Sequence, residues 1–137
     1  MRALLCLGLL ALACATRPDT RPPPLTVHTV YEGRLPCDNC SIILTRLTLE
    51  PDGRCLLQEE DRHSWDGDRR YEHRGHWRET HGVPGKPEAT VYRLELEGEG
   101  GVRGFVVLQG GLRLQPLDEK GKPVEAVPPA TLVRVEP

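Results

Sequence analysis

Ile43-Leu44-Thr45-Arg46-Leu47-Thr48-Leu49-Glu50-Pro51-Asp52-Gly53-Arg54-Cys55-Leu56-Leu57-Gln58-Glu59-Glu60 reads as two alternating runs about a turn signal. Side chains of an extended chain alternate with a period of two. Ile43, Thr45, Leu47 and Leu49 therefore share one face, and Leu44, Arg46 and Thr48 the other. Pro51-Asp52-Gly53 supplies the fixed φ, the Asx turn and the free glycine that reverse a chain. Residues 54–60 return as the second strand, with Cys55 and Leu57 on one face. The stretch predicts a β-hairpin with one apolar face. Cys55 becomes a buried core thiol, a common role for free cysteine.

The same alternation extends outward. Before the hairpin, a strand beginning near Thr26 sets Val27, Thr29 and Tyr31 against His28, Val30 and Glu32. After it, the charge-dense residues 61–72, which hold Trp65-Asp66-Gly67-Asp68-Arg69-Arg70, read as a long exposed loop or hairpin tip. A strand over 73–80 places Gly75 and Trp77 on one face. A Gly/Pro loop over 82–88 leads to a strand over 90–97 with Tyr92, Leu94 and Leu96 on one face. Glu99-Gly100-Gly101, Gly110-Gly111 and Asp118-Glu119-Lys120-Gly121 turn into further strands at 102–108, 112–117 and, with Val124, at 131–135. No stretch sustains a helical period. The prediction is an all-β fold, a small antiparallel barrel of about six to eight strands, since closure removes exposed strand edges.

The chain has 137 residues, enough for one domain, and a formal net charge of −2 with both signs mixed throughout. Nothing in that balance supports a nucleic-acid partner. Residues 1–13 read as a signal peptide: Arg2 gives the positive start, residues 3–12 the apolar core, and Ala11-Leu12-Ala13 the cleavage signal. Cys14 follows at once, as in a bacterial lipobox, where that cysteine is lipidated and anchors the mature protein to the membrane. Ordinary secretion with a cut at the same bond is the other reading. Residues 14–25 carry Arg-Pro-Asp-Thr-Arg-Pro-Pro-Pro, a stiff polyproline-type tether. The barrel domain is assigned to residues 26–137.

Between the first two strands lies Gly33-Arg34-Leu35-Pro36-Cys37-Asp38-Asn39-Cys40-Ser41. Three extended residues advance about 10 Å, whereas a disulfide needs Cα atoms within roughly 7 Å. If the thiols cooperate, Asp38-Asn39 must turn, which Asx residues favour. The loop could be a redox pair, a soft-metal clip or a plain staple. Cu(I) is satisfied by two thiolates, so Cys37 and Cys40 are candidate copper ligands. Zn(II) would need two more donors. The five histidines are scattered, and His73 and His76 fall on opposite faces of one strand. The Gly-Gly pairs lack phosphate-loop spacing, and no nucleophile–base set or paired carboxylates stand out. The expectation is a protein that is not an enzyme.

These motifs in this order resemble a known family. Gly33-x-Leu35-Pro36-Cys37-x-x-Cys40, then Ile43-x-Thr45-x-Leu47-x-Leu49, Asp52-Gly53, Gly75-His76-Trp77, Leu114-x-x-Leu117-Asp118-x-x-Gly121 and Thr131-Leu132 are similar to the NlpE N-terminal domain. The resemblance implies a lipocalin-like antiparallel barrel in a lipoprotein of the bacterial cell envelope. That protein would be held on the outer membrane through Cys14 and face the periplasm, with a soluble periplasmic or secreted chain as the alternative. It further implies copper homeostasis or resistance, or an envelope stress response with a sensor protein as partner, and makes the CxxC loop the copper site. The alternative function is a structural or hydrophobic-ligand barrel stapled by Cys37 and Cys40. The residues between the cysteines depart from the family's frequent Ala-Asp, and Ile42 stands where a glycine is common.

Overall fold

The computed structural model describes residues 25–136 apart from Asn39, Ser64 and Asp66. The signal segment, Cys14 and the tether up to residue 24 lie outside the described residues. Eight strands form the fold: β1 (Thr29–Leu35), β2 (Ile42–Leu49), β3 (Arg54–Arg62), β4 (Arg69–Val83), β5 (Lys86–Leu96), β6 (Gly101–Leu108), β7 (Arg113–Pro116) and β8 (Leu132–Glu136). Each pairs antiparallel with its neighbour in sequence, and β8 closes onto β1 to complete the barrel. The expected all-β antiparallel barrel is the observed one, at the upper end of the expected strand number.

The quoted hairpin forms with Leu49 opposite Cys55 and Leu47 opposite Leu57. Its apolar face points into the barrel. There Tyr31, Leu47, Leu57, Leu94, Phe105, Leu114 and Leu132 fill the lumen. A fully buried leucine contributes about 1.5–3 kcal/mol, so this filling drives closure. The outward face carries ion pairs such as Arg46–Glu32 and Arg78–Glu95. That is the reverse of a transmembrane barrel, which is apolar outside. Among the described residues no helix is long and apolar enough to cross a membrane.

Two glycines set how closely strands approach. A Cβ at Gly75 would collide with the Glu95 carbonyl and the Leu96 backbone on β5, and one at Gly33 with Thr131 and Leu132. Trp77 follows two residues on along β4: its ring meets Tyr92 edge-on at 5.2 Å, and its indole N–H donates to the Glu50 carbonyl at 2.8 Å.

Several predicted boundaries are corrected. β1 starts at Thr29 rather than near Thr26. The long loop expected over 61–72 shrinks to residues 63–68, because β3 runs on to Arg62 and β4 begins at Arg69. Asp61 pairs opposite Arg69 and Glu59 opposite Tyr71. Inward positions there are polar because they reach the barrel mouth, so the strand loses its apolar signature. The loop expected over 82–88 is a tight turn at Pro84-Gly85, with Val83 opposite Lys86 and Gly85 at φ 82°. Val124 is not in a strand. It lies in the β7–β8 connection, its N–H donating to the Pro116 carbonyl at 2.8 Å.

Candidate functional site

Since all neighbours are antiparallel, the β1–β2, β3–β4, β5–β6 and β7–β8 connections gather at one end of the barrel. The CxxC loop is one of them. Leu35, buried at the end of β1, roots it on one side. On the other, the Ser41 N–H donates to the Arg62 carbonyl at 2.9 Å, and Ile42 opens β2 opposite Arg62. The loop is thus held between two strand ends that the core has already fixed.

Cys37 and Cys40 are joined as a disulfide, with their Cα atoms 5.3 Å apart. That separation is far shorter than an extended three-residue step, as the turn argument requires. Both cysteines are half-buried and Asp38 between them is exposed, while Asn39 lies outside the described residues. The Cys40 sulfur sits 3.4 Å from the Ile42 carbonyl oxygen. In the disulfide there is no S–H to donate. After reduction the Cys40 thiol has an acceptor already in place.

The sulfur pair supplies two soft donors side by side. Among the described residues no group of three or more His, Cys, Asp and Glu side chains is placed to hold a metal ion. His28, His63, His76 and His81 are exposed, and His73 is half-buried with its ring stacked on Tyr71. The donor set therefore fits an ion satisfied by two thiolates, such as Cu(I), once the pair is reduced. It does not make a closed four-ligand zinc site.

Cys55 is the free cysteine among the described residues, buried on the hairpin's inner face. Burial pushes its thiol up to about 11. At neutral pH it stays protonated, so it is a poor nucleophile and a poor metal ligand.

Sequence reading missed one feature of this end. Glu59 is buried, and Arg103 donates to its carboxylate at 3.1 Å. β3 and β6 are not neighbours in the sheet, so the pair crosses the lumen and caps the apolar core below the mouth. The partners lie 44 residues apart, and no local pattern joins them. A groove of about 910 Å³ runs over the outer face of β1–β4, lined by Glu32, Arg34, Arg46, Glu60 and Arg70 among others. Neither cysteine of the loop lines it.

The NlpE N-terminal domain family matches residues 31–127. No curated protein sequence matches the chain. Among solved structures, the chain is similar to the Cpx pathway activator NlpE from Escherichia coli, at 24% identity and a TM-score of 0.54. That match covers 72% of this chain and 46% of NlpE, so this chain spans about half the length of that relative. It is also similar to a candidate lipoprotein from Shewanella oneidensis, at 22% identity and a TM-score of 0.61, covering 87% of this chain and 98% of the other. At these identities the structures share the fold. Family membership rests on the match over residues 31–127, which takes in most of β1, the CxxC loop and β2 to β7: the chain belongs to the NlpE N-terminal domain family.

Proposed function

We propose that this chain is an envelope lipoprotein of the NlpE type, acting in copper tolerance or envelope-stress sensing through the Cys37–Cys40 pair. The observation that carries this reading is the pair itself: two sulfurs bonded side by side on a loop rooted in the barrel. Exchange with an external dithiol, itself oxidised to its disulfide, supplies the two electrons and two protons that convert the pair to two thiols. As thiolates these hold Cu(I) in low coordination, whereas the oxidised pair has no thiolate to offer. The loop would then report envelope redox state and copper through one change of state. The rigid barrel carries this change without refolding, because the ring it closes is small. The chain is read as a binding and sensing protein, not an enzyme.

The E. coli relative is described as a Cpx pathway activator. By analogy the partner here is an envelope-stress sensor protein, and the membrane is reached through lipid on Cys14. A staple alone is the second reading. It is supported by the oxidised state of the pair, but a ring this small stabilises by only about 2 kcal/mol in the loop-entropy account.

The test is complementation of cells that lack the gene, on copper-containing medium. The Cys37→Ser/Cys40→Ser variant should accumulate normally in the envelope yet fail to restore growth. Cys14→Ala should lose membrane fractionation. Full copper tolerance with the double serine variant would refute the assignment of the loop.

A further inference from the structure

The opposite end of the barrel holds a second recess, of about 340 Å³, lined by Leu25, Asp52, Trp77, Glu79 and Tyr92 among others. That volume suits a small ligand. Its walls are built. The Trp77 and Tyr92 rings meet edge to face at 5.2 Å and 64°, so the buried Tyr92 backs the half-buried Trp77 ring that lines the recess. The Trp77 indole N–H is already committed to the Glu50 carbonyl, which fixes the ring's orientation. Tyr92 is buried, and its ionisation is pushed well above the usual phenol range by burial first, then by Tyr31 and Glu79, against an opposing effect of Arg134. The aromatic wall therefore stays neutral.

The charges around the recess are unequal in their commitments. Arg78 pairs with Glu95 at 3.7 Å, and Arg54 with Asp52 at 2.6 Å. Arg134 faces the two tyrosines from the β8 side and does not line the recess. Glu79 has no ion-pair partner among the described residues, and it lines the recess on the same inward face of β4 as Trp77. A half-exposed indole ring beside an unpaired carboxylate attracts a cation through the ring quadrupole and the negative charge together.

We propose that this recess binds a small organic cation, a methylated ammonium group seated against the half-buried Trp77 ring with Glu79 as its counter-charge. The inference is independent of the CxxC loop, which lies at the other end of the barrel. The same ammonium chemistry is offered by a free solute or by a lipid headgroup.

The test uses the full chain carrying Trp65→Phe, so that Trp77 is the sole tryptophan. Choline and its uncharged carbon isostere, 3,3-dimethylbutanol, are titrated against Trp77 emission. Choline should give a saturable change, with the isostere binding about tenfold more weakly, as expected for a partly desolvated cation–π contact. Glu79→Gln, at an exposed position, should weaken choline severalfold and leave the isostere unchanged. Phosphatidylcholine vesicles, with phosphatidylglycerol vesicles as control, separate the sources. A response to free choline assigns a solute, and one confined to phosphatidylcholine assigns a headgroup; either upholds the site. No saturable response to choline or phosphatidylcholine, or equal binding of choline and its isostere, would overturn the proposal.

Discussion

The two ends of the barrel are closed in different ways. At one end, tight turns at Pro51–Gly53 and Pro84-Gly85 and a short 3-10 turn at Gln109–Gly111 join the strands. Aromatic side chains tie that end to the backbone: the buried Tyr31 hydroxyl donates to the Gly111 carbonyl at 2.6 Å, and the half-buried Trp77 donates to the Glu50 carbonyl. At the other end the connections are longer, Glu59, Asp61, Arg69 and Arg103 take inward positions, and the Glu59–Arg103 pair spans the lumen. The disulfide loop sits there. The tight end and the core hold the fold, and the CxxC loop is presented from the end with the longer connections. This is the usual division between a scaffold and the loops it positions.

That division is broken most severely at β4. Gly75→Val places side-chain atoms where the Glu95 and Leu96 backbone lies. The β4–β5 pairing must shift, and we expect a loss of about 3 kcal/mol or more, as for severe overpacking. Urea unfolding measures it. A loss below about 1 kcal/mol would mean that the two strands can separate cheaply.

Next in size is a pH effect in the core. Cys55 holds its proton up to about 11, against an ordinary value of 9.0. Below pH 9 folded and unfolded chains are both protonated at this position, and its contribution to stability is complete. From pH 9 to 11 the unfolded chain ionises first, so stability falls by up to about 1.4 kcal/mol per pH unit. Cys55→Ala should remove that slope, while lowering stability at neutral pH through the cavity it leaves. Unfolding free energies measured for both proteins across this range decide the matter. Equal slopes would place the thiol in contact with solvent.

The smallest of these effects belongs to the loop. Cys37→Ser/Cys40→Ser should cost no more than about 2 kcal/mol and leave the far-ultraviolet circular dichroism of the barrel unchanged. A variant that cannot fold would show that both ends of the barrel are structural.

How much of this was legible in the sequence follows the same division. Residues 43–60 announced their hairpin because every inward position from Ile43 to Leu57 is apolar or, at Thr45 and Cys55, small, and because Pro51-Asp52-Gly53 marks the turn. Tyr92, Leu94 and Leu96 announced β5 in the same way. Residues 61–72 did not, since Asp61, Arg69 and Tyr71 point toward an open mouth where a polar side chain costs little. The pairing of Glu59 with Arg103 and the edge-to-face contact of Trp77 with Tyr92 are products of closure. They join residues on different strands, and no spacing along the chain encodes them. The CxxC loop was visible because three residues cannot join two thiols without turning.

The most direct test of the central claim is a Cu(I) titration of the reduced and the oxidised protein, with metal counted per chain after removal of free ion. Reduced protein should bind about one Cu(I) through Cys37 and Cys40, as expected for two soft ligands and a low-coordinate ion. Oxidised protein and the double serine variant should bind none. Equal binding by all three would place copper elsewhere on the barrel and contradict the assignment of the loop.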